Sequence, residues 1–384
     1  MKPSEACFAG TVFDGETTRR DMAVRVMDGR IADIVPRATM SGHARVVDLG
    51  PHLLVPGLVD LQVNGGGGVN FNDDPTPETI GRICRAHAAF GVTSVLVTLI
   101  TASPETTRSA IEAAVAATGT PGFAGLHLEG PHLSVAKRGA HAAGLVRPMN
   151  DDDLARLLAA ARRLPSLMVT VAPEAVSGGQ IAALRDAGVR VSLGHTAADH
   201  ATFRAAVDAG AHLATHLFCA MSGLHHRAPG AVGAILDDGR VWAGLIPDGL
   251  HVAPEVVRMA VRAKQGPGRV FAVSDAMATV GSGMDGFELD GRAVTRRDGA
   301  LRLADGTLAG ADIHLGAALR FLASTLDRES ALRMVTCYPG EAIGRGGEIG
   351  RIVPGARADF AVLDDALAVR SVWIAGERVA GLSG

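Results

Sequence analysis

One carboxylate and two imidazoles stand at the ends of apolar runs in this chain: Glu129 in GLHLEG, His195 in VSLGHT and His216 in ATHLF. A Glu with two His is a donor set that catalytic zinc uses, with a position left open for water. Taken singly, each His is better explained as a hydrogen-bonded core residue. Three such ligands at the ends of separate runs favour a metal. Asp275, in VFAVSDAM, closes a further run. A Ser-Asp pair there can cap the segment that follows. Beside a metal the same Asp is a general base, because a cation lowers the pKa of water toward about 7 and a neighbouring carboxylate can take the proton.

Other polar residues fall at comparable places. Gln62 and Asn64 end the first run, Glu174 the fourth and Asp248 the seventh. His141 follows KRG, His225, His226 and Arg227 lie in HHRAPG, and His251 lies in DGLH. Arg and His near a site mouth bind phosphate through charged hydrogen bonds. A solvated basic loop accounts for them as well, and the residues alone leave both readings open.

These side chains need a scaffold that gathers the run ends. Eight runs read as buried strands: LLVPGLVDLQV, GVTSVLVTLI, GFAGLHLEG, SLMVTVAPE, VRVSLGHT, AHLATHLF, VWAGLIPDG and RVFAVSDAM. Intervening segments such as PETIGRICRAHAAF and DDDLARLLAAARRL have the apolar spacing of amphipathic helices. Apolar strands alternating with helices make a parallel sheet covered on both faces. Eight such units over about 290 residues predict an α/β fold, a (β/α)8 TIM barrel, whose strand C-termini surround one mouth where active sites form. A dinucleotide-binding fold would place GxGxxG after the first strand, and the Gly65 to Gly68 run has the wrong spacing.

The two ends read differently. FDGETTRRD and MDGRIADIV carry Asp-Gly turn signals between alternating apolar residues, and GRIVPGARADFAVLDD with SVWIAGERVAG looks similar. We expect a small β-sandwich domain assembled from residues 1–55 and 350–384 around a metal-dependent barrel over 56–349. With 384 residues, 47% of them hydrophobic, the chain can bury a sizeable core. A net charge of -3 argues against a basic face for nucleic acid or a membrane surface. Cys7, Cys84, Cys219 and Cys337 are widely spaced with no CxxC pair, which argues against a disulfide framework and a thiolate zinc site. The first ten residues hold no apolar signal-peptide core, and the longest apolar stretch, around Gly91 to Ile100, is too short to span a bilayer. The expected location is the cytoplasm.

In order and spacing, VPGLVDLQVNGGGGVNFND, GLHLEGPHL, RGAH, VTVAPE, VSLGHT, ATHLF, RAPGAVGAILDD, DGLHV, VSDAM and IVPGARADFAVLD resemble the N-acetylglucosamine-6-phosphate deacetylase family of the amidohydrolase superfamily, nearly end to end. The resemblance implies hydrolysis of N-acetyl-D-glucosamine 6-phosphate to D-glucosamine 6-phosphate and acetate, in amino sugar catabolism. It implies one divalent metal ion per subunit on Glu129, His195 and His216, zinc first, with iron or another divalent ion as alternatives. Asp275 would be the catalytic acid and base, and His141 would orient or polarise the acetyl carbonyl. Substrate contacts would come from Ala140, Cys219, Ala220, Arg227, His251, Leu308, Ala309 and Gly310. A homodimer is implied as well, in which the Arg227 loop serves the neighbouring subunit's site.

Three departures stand against that pattern. Cys219 occupies a place where many members carry Asn, and a thiol is a weaker hydrogen-bond partner. Gln62-x-Asn64 replaces His-x-His, which favours one metal over two. GTLAGADIHLG is looser than the family's GTLSGS. These leave room for another sugar, such as the galactosamine epimer, or another N-acyl amide. A scaffold without chemistry is the remaining alternative, and it has no need of the intact Glu129, His195, His216 and Asp275 set.

Overall fold

The computed structural model describes residues 5–40 and 45–380. Residues 1–4, 41–44 and 381–384, which belong to the expected terminal domain and in part to the first ten positions, lie outside them. Eight parallel strands form one sheet in chain order: β1 (Leu58–Val63), β2 (Val92–Ile100), β3 (Phe123–Glu129), β4 (Leu167–Val171), β5 (Arg190–Leu193), β6 (Leu213–Ala214), β7 (Trp242–Leu245) and β8 (Val270–Ala272). The sheet closes where β8 meets β1, with Asp275 N donating to Gln62 O and Asn64 N to Ala276 O, each at 2.9 Å. Strands β1 to β4 are buried along their whole length, as a sheet covered on one side by helices and filled on the other by side chains requires. This is the expected barrel, and each of the eight runs supplies one strand.

The first run divides, however. Leu53 to Pro56 end the strand Arg45–Pro56 of a second sheet, and only Leu58–Val63 enters the barrel. Gly57 sits at the crossing, where a Cβ would lie 2.0 Å from Thr93 Oγ1, so no larger residue fits between the two sheets. The second sheet has seven strands drawn from both ends of the chain: Arg45–Pro56 pairs with Glu5–Phe13 on one side and Phe360–Leu363 on the other. It has its own core, in which the Phe8 ring meets Phe360 at 5.0 Å and Trp373 at 5.1 Å between centroids.

A further sheet interrupts the βα alternation. Gly286–Leu289, Arg292–Arg297, Ala300–Arg302 and Leu308–Ala311 form four antiparallel strands between β8 and the helix Leu315–Thr325. Asp290, Gly291, Asp298 and Gly299 have φ values of 50°, 72°, 52° and 74°, the pair of positive angles that a two-residue type I′ hairpin turn demands. Leu289, Val294, Leu301 and Leu303 pack with Ile100 and Met277 of the barrel. Ala311 N donates to Asp275 O at 2.9 Å, and Arg292 Nη2 to Ala140 O at 2.5 Å. The sheet therefore roofs the barrel mouth.

The loop that carries His141 is anchored at its far end. Asp153 N donates to Asn150 Oδ1 (2.9 Å) and Asn150 N to Asp153 Oδ2 (3.2 Å), a reciprocal cap on the helix Asp151–Ala161. Arg147 donates twice to the Asp153 carboxylate, and Arg156 Nη1 adds a bond at 3.0 Å. Burial opposes the charge on Asp153, but the bonds from Arg147 and the Asn150 backbone prevail and hold the carboxyl well below its usual range. Asp153→Asn is expected to cost about 2 kcal/mol at neutral pH, read as a lower unfolding midpoint. Because the native pKa is depressed, the difference should be complete above about pH 4, the unfolded carboxyl's value, and shrink as pH falls below it. A difference unchanged from neutral pH down to about pH 3 would show that shape and not charge sets the cost.

Candidate active site

The strand ends open on a cavity of about 430 Å³. Glu129 is the last residue of β3, while His195, His216 and Asp275 follow β5, β6 and β8 within three residues. Those three have φ values of 47°, 30° and 51°. For a residue with a Cβ this left-handed conformation costs about 1–3 kcal/mol, and it persists where the surroundings over-determine it, often at functional sites.

Glu129 Oε1 lies 3.1 Å from His195 Nε2 and 3.0 Å from His216 Nε2, and the two ring nitrogens are 3.1 Å apart. All three residues are buried. Two imidazole nitrogens this close cannot both carry a proton toward the other. His195 Nδ1 lies 2.8 Å from Lys137 O, a group that only accepts, so the ring proton resides on Nδ1 and Nε2 offers a lone pair. A cation about 2.0–2.1 Å from each of three donors would space them roughly 3.0–3.4 Å apart, and the observed triangle meets that spacing. The three residues therefore fit one divalent cation. Burial disfavours the charge on Glu129, but the neighbouring His195 and His216 rings prevail and hold its carboxyl well below the normal range.

Asp275 is joined to this triad by an amide. Gln62 Nε2 donates to Glu129 Oε2 and to Asp275 Oδ1, both at 3.1 Å, and Asn64 Nδ2 donates to Asp275 Oδ1 at 2.7 Å. Both amide bonds fall on Oδ1, which leaves Oδ2 for a proton. Burial, helped by Glu129, pushes the Asp275 carboxyl up to about 6. His141 stands slightly outside the triad, with one ring nitrogen in a set with Glu129 and His195 whose atoms lie within 4.8 Å of one another. The tighter set with His216 is the better cation site, because its donors can share one small ion. His141 Nδ1 lies 2.8 Å from Thr101 Oγ1 and accepts from Thr101 N at 3.4 Å, which assigns the ring proton to Nε2. Burial, with His195 nearby, pushes its imidazole down to about 3, so the ring is neutral.

Of the residues expected at the sugar site, Ala140, Cys219, Ala220, His251, Leu308, Ala309 and Gly310 line the cavity. Arg227 does not; with His225 and His226 it lies on an exposed loop. His251 Nδ1 is 2.6 Å from Asp248 Oδ2, so Asp248 orients the imidazole. The Cys219 backbone N–H is taken up by His216 O at 2.9 Å, and burial pushes the thiol up to about 12, which keeps it protonated. Glu174 points elsewhere: it accepts from Thr196 Oγ1 and Ala197 N at 2.5 and 2.7 Å and ties down the turn after His195. The bridging role of Gln62, the support of His141 by Thr101 and the roof sheet were not foreseen. Four Asp-Gly pairs between Asp285 and Gly306 were the available signal for the roof.

A closed βα barrel with a buried Glu/His/His set at the C-terminal ends of its strands is the architecture of a hydrolase able to hold a metal ion. Residues 53–379 match the model of the amidohydrolase family, and the chain belongs to that family. It is 40% identical over 366 residues to the N-acetylgalactosamine-6-phosphate deacetylase of Shewanella sp. (strain ANA-3), with 92% of this chain and 91% of that protein covered. It is 37% identical over 385 residues to the human N-acetylglucosamine-6-phosphate deacetylase, with 95% and 92% covered. The crystal structure of N-acetylglucosamine-6-phosphate deacetylase from Pasteurella multocida superposes with a TM-score of 0.94 at 31% identity, covering 98% of this chain and all of that one. Among the described residues no helix is long and apolar enough to cross a membrane.

Proposed function

We propose that this chain hydrolyses N-acetyl-D-glucosamine 6-phosphate to D-glucosamine 6-phosphate and acetate, a step of amino sugar catabolism. The observation that carries the reading is the coupling of Asp275 to the Glu129, His195 and His216 triangle through Gln62, on the wall of one cavity. Glu129, His195 and His216 would hold a single divalent cation, zinc by its preference for such donors. When bound, the ion supplies Lewis acidity that polarises the amide carbonyl and makes water acidic. Asp275 Oδ2 takes the proton of the attacking water while Gln62 and Asn64 hold the carboxylate in place. His141 Nε2–H donates to the acetyl oxygen as negative charge grows on it. The protonated Asp275 then returns its proton to the sugar nitrogen, the C–N bond breaks, and acetate and the amine leave.

The cavity residues Cys219, Ala220, His251 and Leu308 to Gly310 would hold the sugar phosphate. Arg227, exposed and off this cavity, would act in the site of a second subunit, and a homodimer follows from that reading. Free thiols at Cys84, Cys219 and Cys337 suit a reducing cytoplasm. The relative at 40% identity is named for the galactosamine epimer, so the deciding assay measures acetate release from both N-acetylated epimers, with and without the 6-phosphate. We expect the glucosamine 6-phosphate substrate to lead, and each phosphorylated sugar to exceed its unphosphorylated form by at least about 100-fold in kcat/KM, the value of two charge-assisted contacts. Equal rates with and without phosphate would remove the anion site, and a lead for the galactosamine substrate would reassign the epimer.

A further inference from the structure

One layer deeper in the barrel, polar side chains replace the branched aliphatic residues that ordinarily fill such an interior. Thr98, His127, Thr170, Ser192 and Thr215 are each at most 3% exposed. They form an unbroken chain: Thr98 Oγ1 to His127 Nδ1 at 3.2 Å, His127 Nε2 to Thr170 Oγ1 at 2.8 Å, then Thr170 to Thr215 and Thr215 to Ser192 at 2.6 Å each. Val63 N donates to Thr98 Oγ1 at 2.9 Å, so the belt runs from β1 through β5 to the residue that follows β6.

Counting protons gives the belt a direction. Each hydroxyl has one proton to donate. Thr98 can donate to Leu96 O at 3.3 Å. His127 Nδ1–H then donates to Thr98, Thr170 to His127 Nε2, Thr215 to Thr170, and Ser192 to Thr215. Every donor finds an acceptor in that direction, whereas the reverse leaves Ser192 without one among these groups. The belt also lies against the triad along the chain. His127 precedes Glu129 by two residues on the same face of β3, Thr215 adjoins His216, and Ser192 precedes His195 by three.

We propose that this belt is a positioning network for the cation-binding triad, with Thr170 at its centre. It sets the relative depth and rotation of the three segments that carry Glu129, His195 and His216. The inference rests on the reading of those three residues as metal ligands, and the test separates the two. Zinc affinity of the full chain is measured by competition with a chromophoric chelator, alongside the unfolding midpoint of the metal-free protein. Thr170→Val keeps the side-chain shape and breaks the belt between His127 and Thr215; Thr170→Ser keeps the hydroxyl. Loss of a direct outer partner of a metal ligand weakens binding about 10- to 100-fold. Thr170 acts on the ligands only through the strands that carry them, so Thr170→Val should weaken zinc by about 10-fold, the lower end of that range, and Thr170→Ser should stay within about twofold of the parent. Ser192→Ala, at the open end and the mildest change, should weaken zinc about threefold and serves should the valine variant not fold. A parent chain that binds no zinc overturns the metal reading and the belt with it. A parent that binds zinc, with folded belt variants that bind it equally well and lose only thermal stability, overturns the belt alone.

Discussion

Asp275→Asn should keep zinc at the parent's stoichiometry and lose turnover by about 10²–10⁴-fold, the usual contribution of a positioned acid or base. The substitution is nearly isosteric. The Asn oxygen can still accept from Gln62 and Asn64, which donate to Oδ1 at 3.1 and 2.7 Å in the native protein. The triad of Glu129, His195 and His216 is untouched, because Asp275 reaches it through Gln62 and not directly. What the amide cannot do is accept a proton at the second oxygen and hand it on. The effect should therefore fall on kcat, with KM little changed, as expected when an interaction made only in the transition state is lost. Near-parental kcat in a variant with full zinc would take Asp275 out of the chemistry.

Glu129→Ala should have an effect at least as large, by a different route. Glu129 Oε1 is the vertex that both imidazoles share, at 3.1 and 3.0 Å, and it is the anionic member of the set. Without it two neutral donors remain, fewer than a catalytic zinc site requires. Zinc per chain should fall below about a tenth of the parent's, and turnover should drop by more than about 10³-fold with the loss of Lewis acidity. The parent stripped by a chelator should be equally inactive and regain its rate when zinc is restored. Restored zinc should also raise the parent's unfolding midpoint, because a ligand held only by the folded state stabilises it, and should leave that of Glu129→Ala unmoved. Stoichiometric zinc in Glu129→Ala would show that the cation lies elsewhere.

The barrel was legible because a parallel strand buried on both faces is a continuous apolar run. LLVPGLVDLQV shows the limit of that signal, since its first four residues belong to another sheet and nothing in their hydrophobicity marks the change. Gly57, where a side chain would strike Thr93, is the point of division, and that collision exists only between packed sheets. The roof sheet was written in Asp-Gly turns but has short, half-exposed strands, so its apolar pattern is faint beside the barrel's. Arg227 could be seen as a basic loop residue, yet the direction in which that loop leaves the barrel decides that it stays off the cavity.

Short stretches carry the strand and helix periods, the turn signals and the kinds of donor at each strand end, so these properties of the protein can be read along the chain without its neighbours in space. Across the barrel the case is different. That Gln62 joins Glu129 to Asp275, that Thr101 supports His141, and that five hydroxyl and imidazole groups link hands below the triad depend on residues up to 213 positions apart. Strand tilt and register, accumulated around all eight strands until the sheet closes, set those meetings, and no local stretch of sequence contains them.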